Sequence, residues 1–115
     1  MVAQEWRTIS LRAAFSGLRG FPWWLAIASN NAHPLLEVSA AGVRCRVLRL
    51  REHAFAEIEE IDVRTAFRTV NLRLLFHNSA FVFSGNVGTV DAAKLVLPLF
   101  ASHVQLSERA ARLLD

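Results

Sequence analysis

Apolar and polar positions alternate with a period of two over several short stretches of this chain, the pattern of strands with one wet face. The clearest stretch is Val43-Arg44-Cys45-Arg46-Val47, where Val, Cys and Val take one parity and Arg the other. At Leu48 the phase slips, so that Leu48 and Leu50 take the opposite parity with Arg49 and Arg51 between them. A slip of one position predicts a bulge or a strongly bent strand, which a small barrel needs to turn a corner. Asn71 to Phe76 and Ala80 to Ser84 predict a hairpin joined by His77-Asn78-Ser79, with Leu72, Leu74 and Phe76 on one face and Phe81 and Phe83 on another. Upstream, Trp23 to Ser29 and Leu35 to Ala40 flank Asn30-Asn31-Ala32-His33-Pro34. Asn tolerates left-handed backbone and Pro fixes the exit, so residues 23–40 predict a further hairpin. Ala41-Gly42 is the next turn.

Two segments are less determined. Val43, Val47, Leu50, Ala54, Ile58 and Ile61 also fall on the stripe of one long helix, so residues 43–63 admit a helical alternative. Gly42 at the start and the β-favouring Val-Arg-Cys-Arg-Val run tip the balance to strand plus bend. In residues 3–19, Leu11, Phe15 and Leu18 share a helical stripe while Trp6 and Ile9 project elsewhere, before Gly17, Gly20 and Pro22. Residues 1–22 are therefore an N-terminal segment of unassigned structure, and residues 23–115 are the domain. At the other end, Gly85-Asn86-Val87-Gly88 closes the sheet. Thr89 is the expected N-cap of a helix from Val90, with Asp91 in its first turn, and Pro98 should split that helix near Leu97. Ser107-Glu108 opens a last short helix carrying Ala110, Leu113 and Leu114.

The stretch Leu35 to Phe100 resembles the bacterial pleckstrin-homology-like (PH-like) domains. Leu36-Glu37-Val38-Ser39-Ala40-Ala41-Gly42-Val43 is similar to that family's strand–Gly–strand hairpin. Phe55-Ala56-Glu57-Ile58-Glu59-Glu60-Ile61 is similar to its aromatic–x–acidic–Ile step, with Phe55 in place of the more usual Trp. Asn71 to Gly85 resembles its late hairpin. The resemblance implies an α+β, mainly β fold: a PH-like bent antiparallel barrel of six to seven strands, capped by a C-terminal helix. It also implies a non-enzymatic interaction or assembly module, often self-associating and often in membrane-associated proteins, with no cofactor. Phosphoinositide binding does not follow from it by default.

Composition narrows the class. At 115 residues, 53% apolar and 20% charged, the chain suits one folded domain and excludes disorder and low-complexity sequence. A single cysteine, Cys45, excludes a disulfide framework and a cysteine-clustered zinc site. The net charge is +3, and twelve of the thirteen basic residues are Arg, which explains a pI near 10.4 without a strongly basic surface. A mean hydropathy of +0.29 is high for so short a domain, yet the longest apolar stretch, Phe21 to Ala28, falls far short of the roughly 20 residues a spanning helix needs. Glu5, Arg7, Arg12 and Arg19 do not suit a signal peptide, so a cytoplasmic protein with surplus apolar surface is expected.

The candidate chemistry is sparse. Arg44, Arg46, Arg49 and Arg51 form the densest basic cluster and are candidates for an anionic ligand, although the phase slip need not leave them on one face. Stacking aromatics are not interleaved with them, which argues against nucleic acid. Glu57, Glu59, Glu60 and Asp62 suit a solvated strand face better than a metal or acid–base site. His33, His53, His77 and His103 lack zinc-ligand spacing, so no metal is expected. Cys45 sits on the buried parity, as an inert core thiol would. Gly85-x-x-Gly88 lacks the Lys of a phosphate loop. Trp23 and Trp24, pointing to opposite faces of a strand, are the candidate interface. The expected partner is a second copy or another protein. The alternative is peripheral contact with an anionic membrane through the Arg-rich strand.

Overall fold

The computed structural model describes residues 5–22, 28–30, 32–66 and 68–114. Nine strands form among them: β1 (Arg7–Thr8), β2 (Ala13–Leu18), β3 (Ala28–Asn30), β4 (Leu35–Val38), β5 (Gly42–Arg46), β6 (Leu50–Ala54), β7 (Ile58–Ala66), β8 (Thr69–Phe76) and β9 (Phe81–Asn86). One turn of 3-10 helix, Phe55–Glu57, joins β6 to β7, and α1 (Val90–Val96), α2 (Pro98–Ala101) and α3 (Glu108–Leu113) follow β9. The strands make two antiparallel sheets, in the orders β1-β4-β5-β6 and β3-β2-β9-β8-β7. The fold is thus mainly β with short C-terminal helices.

Period-two alternation builds the core. Leu36 and Val38 of β4 and Val43 and Cys45 of β5 turn inward from the first sheet. They meet Ile61, Val63, Leu72, Leu74 and Phe83 from the second in one apolar cluster. Each such Leu or Ile, fully withdrawn from water, stabilises the fold by roughly 1.5–3 kcal/mol. Gly42 is required where β5 meets β6: a Cβ there would run into the His53 carbonyl oxygen and lie 2.9 Å from Ala54 Cα.

The chain carries one sheet into the other at two corners. The Ile9 N–H donates to the Leu36 carbonyl in the first sheet, and the Arg12 N–H to the Asn86 carbonyl in the second. At the other corner, the Glu57 carboxylate accepts the Ala54 N–H at 2.6 Å and fixes the 3-10 turn between β6 and β7. The helices follow β9 and cover part of the core, from the exit of β9 to the turn between β6 and β7. Thr89 Oγ1 accepts the Ala92 N–H at 3.0 Å, and Pro98, with no N–H to give, takes the first position of α2. Leu97, Phe100 and Val104 are buried, and Phe55 packs edge-on against Phe100 and face-on against His103. Just before α3, residue 61 exchanges backbone hydrogen bonds with Gln105 and Ser107, which ties the C-terminal segment to β7.

Several expectations meet this structure: the β8–β9 hairpin, the Thr89 cap, the split at Pro98 and the Ser107 cap of α3. Within that hairpin the faces differ from expectation, because the register sets Leu74 opposite Phe83 and so puts Leu72, Leu74, Phe76, Phe81 and Phe83 on one inward face. Others need correction. Residues 23–40 do not form a hairpin, because β3 pairs with β2 in one sheet while β4 pairs with β1 and β5 in the other. The phase slip at Leu48 is neither a bulge nor a bend but a reversal, which puts Arg46 opposite Leu50 across a β5–β6 hairpin. The bulge lies instead in β7, between Ile58 and Glu60. Residues 43–63 contain no long helix, and the strands among the described residues number nine rather than six to seven. The described part of residues 1–22 supplies β1 and β2, and β2 lies inside the larger sheet between β3 and β9.

Candidate functional site

β9 enters its sheet at Phe81, and among the described residues none of α1–α3 lines the space between the sheets there. A cleft of about 880 Å³ opens there, within the roughly 300–1,000 Å³ usual for small-molecule sites. Phe76, Phe81 and Phe83 form its wall on the larger sheet, and Cys45, Val47 and Leu48 on the smaller. Arg49, Arg51, His53, Glu57 and His77 supply the polar lining.

The hairpin register explains why these residues converge. Arg51 stands opposite Cys45 and His53 opposite Val43, so both share the inward face of the first sheet. Beyond Cys45 the apolar core runs out, and that inward face meets solvent through the cleft. His53 stacks on Phe76 with ring centres 4.2 Å apart and places its Nδ1 3.3 Å from Glu57 Oε1. The Ala54 N–H, assisted by His53, holds the Glu57 carboxyl below its ordinary range despite some desolvation. On the opposite lip, His77 Nδ1 lies 3.7 Å from Glu59, which also receives Arg19 Nη1 at 2.7 Å. The second terminal nitrogen of Arg19 donates to the Phe76 carbonyl at 2.7 Å, pinning the end of β8. Burial pushes the Cys45 thiol up to about 12 even though Arg51 pulls the other way, so at neutral pH it is a protonated wall group and not a nucleophile.

The four predicted arginines separate into two pairs. Arg44 and Arg46 take the opposite parity and are already engaged. Arg44 lies 3.4 Å from Glu37 and stacks over Trp6 at 3.9 Å, while Arg46 Nε donates to the His33 carbonyl at 3.0 Å. Arg49 and Arg51 line the cleft, are exposed, and make no ion pair or side-chain hydrogen bond with another described residue. Trp23 and Trp24, the predicted interface, lie outside the described residues.

No protein-family model matches this chain, and no curated protein matches it significantly. The site must speak for itself. Among the described residues no group of three or more His, Cys, Asp or Glu side chains is placed to hold a metal ion. No helix among them is long and apolar enough to cross a membrane. The cleft joins a cationic lip to aromatic walls, and that combination suits a molecule with an acidic head and an apolar body. Sequence reasoning found Arg49 and Arg51 by their density, but missed His53, His77 and the three Phe as their neighbours. The alternation of Phe81 and Phe83 was visible. What they face was not, because it depends on how the two sheets close.

Proposed function

We propose that this chain is a non-enzymatic binding module, a bent antiparallel barrel of the PH-like kind, that takes an amphipathic anion at its open end. One observation carries the proposal. Two arginines uncommitted to any described partner stand at the mouth of the same cleft whose walls are Phe76, Phe81 and Phe83. The PH-like reading draws support from the β4–β6 meander, the β7–β9 meander, the helices after β9 and the two corners that carry chain between the sheets. An acyl-type acid fits this chemistry: its chain would displace water from the aromatic walls, and its head would accept charge-assisted hydrogen bonds. Such bonds contribute about 1.5–3 kcal/mol, so losing one arginine should weaken binding about tenfold or more.

Calorimetric titration with dodecanoate and with dodecanol tests this. Dodecanoate should bind saturably and more tightly than the alcohol, Arg51→Gln should reduce its affinity about tenfold, and added salt should weaken it. Absence of saturable dodecanoate binding, or binding unchanged in an Arg49→Gln/Arg51→Gln double variant, would sink the proposal. A second reading, self-association at the same end, is favoured by Leu48 and Phe81, which line the cleft yet remain 80% and 56% exposed. Light scattering across a concentration series separates the two, because a discrete oligomer would cover this rim and compete with dodecanoate.

A further inference from the structure

The second sheet has a polar row on the face turned away from the core. Across β7, β8 and β9 the register aligns Asp62, Arg73 and Ser84, and the next row aligns Arg64, Asn71 and Asn86. Asp62, Asn71, Arg73, Ser84 and Asn86 are all buried. Asp62 is the hub of the cluster. Its Oδ1 accepts Ser107 Oγ at 2.6 Å and Arg109 Nε at 3.4 Å, and its Oδ2 accepts Arg64 Nε and Arg109 Nη2, each at 3.2 Å. Both oxygens are therefore taken before Arg73, the direct cross-strand neighbour, can reach them.

Arg73 is left over. It is 9% exposed, its Nε is buried without a hydrogen-bond partner, and its guanidinium makes no hydrogen bond or ion pair with another described residue. Two other arginines, Arg19 and Arg44, also bury an unbonded Nε. Those two have partners for the rest of the charge: Glu59 and the Phe76 carbonyl for Arg19, Glu37 and the Trp6 ring for Arg44. Among the described residues Arg73 has the field of Asp62 without a hydrogen bond to it, and Arg64 and Arg109 oppose that field. Desolvation together with those two neighbouring cations holds its pKa below the usual arginine value, Asp62 notwithstanding. Three guanidiniums around one carboxylate leave a local charge of about +2; Arg109 and Arg64 are partly exposed and share it with water, so the cost of burying a cation without a counter-ion falls on Arg73.

We propose that Arg73, Arg64 and Arg109 form a second site, on the outer face of the five-stranded sheet, that binds a phosphate-like oxyanion. The donor inventory fits. Each guanidinium carries five N–H donors; Arg64 commits one nitrogen to Asp62, Arg109 commits two, and Arg73 commits none. Arg64 and Arg109 also line a cavity of about 310 Å³ with Val63, Thr65 and Leu113, beside β7 and α3, so these two cations are reachable from solvent; Arg73 is not part of that wall. Asp62 holds two of the three cations in place, so the anion meets a preformed cluster, and Arg73 is the cation the protein itself leaves unneutralised. This site is independent of the cleft: its residues lie on β7, β8 and α3, whereas those of the cleft's cationic lip lie on β6 and the turn before it.

The test is a two-dimensional NMR titration of the whole chain with inorganic phosphate, against sodium chloride at matched ionic strength. Saturable phosphate-specific shifts are expected at residues 62–64, 73, 84 and 107–109. The dissociation constant should rise about tenfold or more in Arg73→Met and stay unchanged in Arg51→Gln. Glycerol phosphate serves as a second probe: tighter binding than free phosphate would mark the anion as one carried on a larger molecule, and weaker binding as the free ion, either supporting the site. Should Arg73→Met fail to fold, Arg109→Gln and the wild-type shift map decide. Shifts centred on Arg49 to His53, phosphate binding unchanged in Arg73→Met or Arg109→Gln, or no difference between phosphate and chloride would each overturn the proposal.

Discussion

Leu97, Phe100 and Val104 come down from the C-terminal segment onto the core and are buried, Phe100 against Phe55 of the turn between β6 and β7. Where β9 enters its sheet, Leu48 and Phe81 remain exposed around a cleft with Arg49 and Arg51 at its mouth. The same pair of sheets makes both regions, and both present apolar inward faces. Under the helices the chain supplies its own cover, and the benefit appears as stability. At the cleft, no described segment supplies it, and the apolar surface stays available to another molecule. Stability and binding should therefore separate between the helix-covered core and the open cleft.

The largest expected effect lies under the helices. Phe100 is fully buried and meets Phe55 edge-on, so Phe100→Ala should cost about 3–5 kcal/mol in urea denaturation. Dodecanoate affinity, measured under conditions where the variant is still folded, should not change. A matching loss of affinity would mean that the two regions are one coupled unit, and the comparison would fail.

A smaller effect is expected at the tie between α3 and β7. Burial alone would raise the Asp62 carboxyl, but hydrogen bonds from Arg109, Ser107 and the Val63 amide, with the Arg109 charge, hold it below its ordinary range. A carboxyl lowered in the folded state contributes stability in full above its unfolded value, about 3.9, and loses it as pH falls through the folded value. Asp62→Asn should therefore cost about 2 kcal/mol at neutral pH. It should also flatten the loss of stability that the wild type shows as pH falls from about the unfolded carboxyl value downward. Parallel acid-denaturation curves for the two proteins would show that Asp62 is not the group responsible.

The smallest stability effect belongs to the open rim. Leu48→Ser removes a side chain that is 80% exposed, so it should change stability by no more than about 0.5 kcal/mol. It should nevertheless weaken dodecanoate binding or any concentration-dependent association seen by light scattering. Were it to destabilise the fold as Phe100→Ala does, Leu48 would have to be counted with the core.

Much of the local structure is legible in the sequence. Thr89, Pro98 and Ser107 act through their own backbone neighbours, so their caps and break appear in the sequence and in the structure alike. The alternation of Val43, Cys45 and Val47 with Arg44 and Arg46 likewise marked a strand and its buried face. The phase slip at Leu48 was just as visible and was misread, because bulge, bend and reversal all shift parity and only pairing distinguishes them. The helical hint in residues 3–19 failed for a related reason. β2 is stabilised by β9 and β3, partners distant in sequence that local propensity cannot register.

The sites follow the same division. By itself the sequence determined the strand-rich class, the helix boundaries, the single cysteine on the buried parity of its strand and the density of arginine around β5 and β6. Those properties depend on residue type and on neighbours a few positions away. Only the tertiary structure decided that Arg44 and Arg46 are engaged while Arg49 and Arg51 face a cleft, because a hairpin turns one run of four into two faces. It alone brought Arg64, Arg73 and Arg109 around Asp62 from β7, β8 and α3. Charge neutralisation is a property of three-dimensional distance, and distance across sheets is set by register, which no local pattern in this chain encodes.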